Sequence, residues 1–253
     1  MIHNIYILQS LEKTDPKTGE LLSKALTGKI INEFTAIRNR DGLFIRLNEI
    51  ISECTILNGY FVLHFDCHGN EDGIGLYDEN NHQEFVEWEE LRQAFRKMYE
   101  LTHIKPLISL SCCKGFSAVK LLTRFEPCPF KEIAGSLIDV PFGDSVNGFY
   151  MLYQLLQSGM SLVEAGARVH SDYPKLKFIA YPADHLFELG WVAYKESQLI
   201  DSKLKERKSN ILAGIEKGQG FPPTVIQIDL IDKKLRPESF EDDRERFRKI
   251  FYS

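Results

Sequence analysis

The sequence predicts an α/β fold, a mostly parallel central sheet with helices on both faces. Apolar runs of strand length alternate with segments of helical period along most of the chain. One run, YFVLHF (60–65), is near-continuously apolar, as a strand buried on both faces is. The length, 253 residues, allows a large core, because a chain of this size buries roughly 70–75% of its unfolded surface.

The elements follow in order. IYIL (5–8) reads as the first strand. Leu21, Leu22, Ala25 and Leu26 suggest a short helix, and Phe34 to Ile37 a second strand. Asp41 is placed to cap a helix whose apolar face is Leu43, Phe44, Leu47, Ile50, Ile51 and Cys54. After YFVLHF, residues Gly69 to about Gln83 read as a polar, glycine-containing loop. The helix after Trp88 carries Leu91, Phe95, Met98 and Tyr99 on one side. Pro106 and LISLS (107–111) open the next buried strand, followed by a helix with Ala118, Val119, Leu121 and Leu122. EIAGSLIDV (132–140) is a strand, and Val146 to Gln157 and Leu162 to Val169 are helices punctuated by Gly159. KFIAY (177–181) and TVIQIDL (224–230) read as late strands, with a charged helix from Leu199 to Lys217 between them. GQGFPP (218–223) is a break, and the chain closes on an amphipathic helix with Phe247, Ile250 and Phe251 as its apolar edge.

The bulk composition excludes several classes. Charged residues at 26% and apolar residues at 43% are not those of a disordered or collagen-like chain. The net charge of −5 argues against a nucleic-acid partner. No run approaches the ~20 apolar residues of a membrane span, and MIHNIYILQS reads as a strand, not a signal peptide. Five cysteines without metal-ligand spacing suit a reducing cytosol, with at least one thiol free for chemistry. No cofactor is implied.

Chemistry collects where two strands end. YFVLHF runs into Asp66-Cys67-His68-Gly69, and LISLS into Cys112-Cys113-Lys114-Gly115. In open parallel sheets, ligands gather beyond the carboxyl ends of the strands. Neighbouring strands lie about 4.8 Å apart, so an imidazole and a thiol at these ends can flank one carbonyl. The Gly69 N–H and the backbone N–H of the cysteine can form an oxyanion hole. Gly115 allows a sharp turn into a helix, whose N-terminus is expected to lower the thiol pKa.

At these residues the sequence resembles the caspase-like cysteine peptidases, which include caspases, metacaspases, separase and CHAT domains. HFDCHG supplies the family's His-Gly pair at His68-Gly69. LISLSCCKG supplies its Ala-Cys-x-Gly pattern, with Cys112 in place of the usual alanine. Cys113 is then the nucleophile, 45 residues after His68, against the ~50 of caspases. The segment IAGSLIDVPFGDSVNGFYMLYQLLQSGMSLVEAGARV is similar to the one after the cysteine in CHAT domains, with Phe149-Tyr150, Gly159 and Ala165 in the corresponding places. The likeness covers roughly residues 1–182. It implies a caspase-like peptidase core over 1–182 and an extension over 183–253 packed on the same domain.

Plainer readings stand beside these. His68 alone is a solvated loop histidine, and Cys113 alone a small buried apolar residue. Cys112 and Cys113 point to opposite faces if the strand continues, so only one meets His68. His64 reads as a satisfied core histidine and Cys67 as packed away from the site. Asp66 either orients a histidine or caps the strand end. Paired zinc spacings such as Cys-x-x-Cys are absent around these residues. For substrate binding, Asp139 and Asp144 follow the strand 132–140 and can meet a Lys or Arg side chain; Asp144 equally suits a helix N-cap. Ser111 stands where metacaspases carry Asp. Gly73 and Gly75 suggest that the acidic loop around Glu71, Asp72, Asp78 and Glu79 is a mobile flap.

The function implied is a cytoplasmic cysteine endopeptidase. Cys113 attacks the scissile carbonyl, His68 serves as acid and base, and Gly69 and Cys113 hold the oxyanion. The resemblance to CHAT proteins implies bacterial antiviral defence or cell death, an activating partner protein, and a protein or peptide substrate such as a gasdermin-like pore former. The alternatives are a catalytically silent interaction module and a small-molecule acyl hydrolase or transferase using the same dyad. No nucleic acid and no membrane is expected as partner.

Overall fold

A computed structural model describes residues 2–57, 60–122, 126–236 and 239–253. They form two compact units, the first built from the described residues up to 122 together with Cys128–Ala183, the second from Asp184–Ser253 together with residues 126 and 127.

The first unit is the predicted α/β sheet. Its strands are β1 (Asn4–Ser10), β2 (Asn32–Ala36), β3 (Phe61–Gly69), β4 (Gly73–Tyr77), β5 (Gln83–Glu87), β6 (Leu107–Ser111), β7 (Glu132–Ser136) and β8 (Phe178–Pro182). The main order is β2-β1-β3-β6-β7-β8, parallel throughout except for β8, which runs antiparallel to β7. β1, the first seven residues of β3, and β6 are buried throughout, which is why YFVLHF reads as a near-continuous apolar run.

Alternate residues of these strands face two helical layers. On one face Ile5, Ile7, Val62, Leu107 and Ala134 pack with α1 (Thr18–Leu26), α4 (Phe142–Gln157) and α5 (Leu162–Asp172), through residues including Leu22, Leu26, Phe149, Leu152, Ala165 and Val169. On the other, Phe65 meets Phe95 of α3 (Trp88–Thr102) edge-on at 6.0 Å, and Tyr6 lies beside Cys54 of α2 (Arg40–Leu57). Core burial at about 25 cal/mol per Å² of apolar surface is the dominant favourable term for both layers.

Several expectations are corrected. Asp41 lies inside the first turn of α2; the capping oxygen is Asn39 Oδ1, which accepts from Gly42 N–H at 2.7 Å. The segment expected as a loop after Gly69 is the antiparallel hairpin β4–β5, hung on the end of β3. Its alternation is real, since Ile74, Leu76 and Val86 are all buried. The glycines there serve close packing: a Cβ on Gly73 would lie 2.1 Å from the Val86 carbonyl oxygen. The helix expected after LISLS is a 3₁₀ helix, Gly115–Leu121. The strand of 132–140 stops at Ser136.

The second unit is helical: most of α6 (Ala183–Gln198), then α7 (Asp201–Gln219), α8 (Val225–Lys234) and α9 (Ser239–Tyr252). TVIQIDL, expected as a strand, forms most of α8. Thr224 caps it reciprocally with Gln227, a capping box that outweighs the β-branched composition. Phe187 of α6 meets Phe251 of α9 at 5.2 Å, and Trp191 meets Phe247 at 6.5 Å. Glu188 takes both oxygens to Arg244. Among the described residues no helix is long and apolar enough to cross a membrane.

Candidate active site

β3 and β6 are adjacent and parallel, with Asp66 opposite Ser111 as the last pair in register. His68 and Cys113 each lie two residues beyond that pair, at the same carboxyl edge of the sheet. Beyond Ser111 the chain turns through Lys114, which is left-handed at φ 53°. Lys114 N–H donates to Ile138 O at 3.1 Å, and Gly115 N–H to Cys112 O at 3.1 Å. Cys113 therefore sits in a fixed turn.

The five cysteines are all free, and only Cys113 is not buried. Cys112 is buried, and its thiol interacts with that of the buried Cys67. Gly69 is pressed against the cysteine turn: a Cβ on it would lie 2.9 Å from both Cys112 Sγ and the Cys113 carbonyl oxygen. A side chain at this position would push the two strand ends apart.

His68 Nε2 hydrogen-bonds Asp15 Oδ2 at 2.8 Å, with the carboxylate oxygen as acceptor, and its ring stands edge-on to Tyr77 at 5.2 Å. Asp15 comes from the segment between β1 and α1. No feature of the sequence singled it out.

Burial pushes the Cys113 thiol above its ordinary range, a Val140 backbone N–H opposes this, and the Asp139 carboxylate adds to it. This corrects the expected lowering by a helix N-terminus, because the helix that follows is a short 3₁₀ turn. Replacing Asp139 by Asn is expected to speed alkylation of Cys113 by iodoacetamide roughly two- to fivefold near about pH 7.5, since a solvent-screened charge pair is worth about 0.5–1 kcal/mol. Timed labelling with mass spectrometry checks it; an unchanged rate would separate Asp139 from the thiol.

The other candidates fall into two groups. Asp139 is exposed beside Cys113. Asp144 lies half-buried in the first turn of α4, where Pro141 and not an Asp holds the N-cap position. Ser111 is buried, and its hydroxyl bonds the Ser145 hydroxyl at 2.6 Å. Around the acidic loop, Lys114 and Lys120 pair at the surface with Glu71 and Asp72, each at 3.0 Å.

A buried polar column runs beneath the site. His64 Nδ1 bonds the Tyr153 hydroxyl at 2.7 Å, and that hydroxyl bonds Ser109 at 2.8 Å. Burial pushes His64 down to about 3. Asp66 accepts from Thr18 Oγ1 at 2.8 and 2.9 Å and from Gly19 N–H at 2.5 Å. Gln9 Oε1 accepts from Gly19 and Glu20 N–H at 3.0 and 3.2 Å. Lys17, at the N-cap position of α1, contributes no side-chain cap, so two strands cap this helix from below. Burial pushes Asp66 up to about 6, against the hydrogen bonds from Thr18, Ser111 and Gly19.

Among solved structures the chain is similar to Raptor of Chaetomium thermophilum, at TM-score 0.33 and 10% identity over 47% of this chain and 13% of that one. It is also similar to the Drosophila initiator caspase Dronc, at TM-score 0.38 and 11% identity over 64% of this chain and 72% of that one. Neither likeness is strong enough to carry an argument about activity. No family model and no curated protein matches the sequence.

Proposed function

We propose that the chain is a cysteine endopeptidase of the caspase-like kind, nearest to CHAT domains, with Cys113 as nucleophile and His68 as acid and base. The observation that carries this reading is the register: adjacent parallel strands deliver His68 and the one partly exposed cysteine, Cys113, to the same sheet edge, each two residues beyond Asp66 and Ser111. Gly69, packed against the cysteine turn, supports the oxyanion role of its N–H together with that of Cys113.

The reaction balances as an acyl transfer. The thiol proton passes to His68 as sulfur bonds the scissile carbon. The C–N bond then breaks and His68 returns the proton to the leaving amine. Water attacks the thioester, His68 takes its proton, and sulfur leaves with that proton restored. Asp139 and Asp144 would meet a basic side chain before the scissile bond, with Ser111 behind them. A protein substrate such as a pore former, an activating partner, a cytoplasmic setting and a role in defence belong to this proposal through the resemblance alone.

The raised thiol favours one second reading, a silent module that binds a partner without turnover. Cleavage profiling of a peptide library with purified protein, beside a Cys113→Ala control, separates the two. Cysteine-dependent cleavage after Lys or Arg is the expected result. No cysteine-dependent cleavage would sink the peptidase reading.

A further inference from the structure

We propose that Asp15 is the positioning residue of the site: it holds His68 by Nε2 and leaves Nδ1 as the nitrogen that exchanges the proton. This rests on the peptidase reading above and adds a residue and a ring nitrogen to it.

Asp15 reaches His68 across 53 residues of sequence because β1 and β3 are parallel neighbours, so the segment leaving β1 emerges at the same sheet edge. The carboxylate is fixed before it meets the ring. Asp15 N–H donates to Glu12 O at 3.1 Å, and Glu12 N–H donates back to Asp15 Oδ2 at 3.0 Å, closing a tight turn. Lys17 Nζ bonds Glu12 O at 2.5 Å, and Thr18 N–H bonds Pro16 O at 2.9 Å. Just beyond, Asp66 and Gln9 clamp the start of α1. Lys13 N–H donates to Asn81 Oδ1 at 2.9 Å, tying the same turn to the β4–β5 hairpin.

The pair is also sheltered. The Asp15 side chain is 17% exposed and His68 34%, so the contact is no loose surface ion pair. A carboxylate has no proton of its own to give here, so the hydrogen between Oδ2 and Nε2 belongs to the imidazole. That fixes the tautomer. Nδ1 is then the free lone pair in the neutral ring, and the imidazolium formed when it takes a proton is stabilised by the carboxylate on the far side. The edge-on Tyr77 ring limits rotation of the imidazole.

The test uses full-length protein and two readouts. The first is kcat and KM on the best peptide from the library profile. The second is the low-field ¹H signal of the His68 Nε2–H in ¹⁵N-histidine-labelled protein. Asp15→Ala is expected to lower kcat about ten- to hundredfold with KM within about twofold, and to abolish the low-field signal. Asp15→Asn retains an acceptor and is expected to recover part of both. Cys113→Ala is expected to keep the signal. Native kcat in Asp15→Ala, or a native signal in it, overturns the proposal. If the native protein shows no Cys113-dependent cleavage, the peptidase reading fails by itself, and the signal in Asp15→Ala still decides whether this carboxylate holds the ring.

Discussion

A His68→Ala variant is expected to lose roughly 10²–10⁴-fold in kcat on a peptide cleaved by the native protein, about 3–5 kcal/mol of transition-state stabilisation. The size follows from asking one group to serve twice, as base toward the thiol and then as acid toward the leaving amine. The direction of the Cys113 shift fits that demand, because burial and Asp139 push its thiol above its ordinary range. Folding is expected to change little, by at most about 1 kcal/mol, since the ring is one-third exposed and its polar contact is a single pair with Asp15. Steady-state kinetics with a thermal melt on the same sample checks both halves. Native turnover in a well-folded variant would remove His68 from the mechanism.

How much of this was legible in the sequence depended on how each residue is buried. β3 and β6 could be read because both faces of each strand are covered, which leaves a mostly apolar run interrupted by His64 and Asp66 in β3 and by Ser109 in β6. Their reactive ends could then be placed by the parallel-sheet rule. β5 could not be read: of QEFVE only Val86 is buried, so the period of two is hidden behind polar residues. The α8 helix was missed because β-branched residues suggested a strand, although Thr224 and Gln227 carry a readable capping signal. Asp15 was illegible for a different reason. Nothing local marks it, and its partner is known only once β1 is placed beside β3. The available signal was an acidic residue in the segment after the strand that neighbours the histidine strand, which needs the strand order to be useful.

The second large effect concerns acid stability, and it comes from the polar column beneath the site. His64 is held neutral in the fold down to about pH 3, whereas an unfolded histidine takes its proton near about 6.5. Its contribution is therefore present above about pH 6.5 and is lost as pH falls toward 3, by about 4–5 kcal/mol in all. Asp66 acts in the opposite sense. Its folded value near about 6 lies above the ordinary carboxylate value of 3.8, so its contribution is present below about pH 3.8 and is lost as pH rises through 6, by about 3 kcal/mol. Between about pH 6 and 4 the two slopes, each up to about 1.4 kcal/mol per pH unit, largely cancel. Single variants expose them. Relative to the native protein, His64→Gln is expected to gain about 3 kcal/mol on acidification from pH 6.5 to 4, and Asp66→Asn to lose about as much. Comparing variants removes the contribution of surface carboxylates common to all three. Urea unfolding at about pH 6.5, 5 and 4 measures it, with midpoints converted through a shared m-value. A His64→Gln variant whose stability follows the native pH dependence would show that this histidine is charged inside the fold, and that the Tyr153 hydroxyl accepts from an imidazolium.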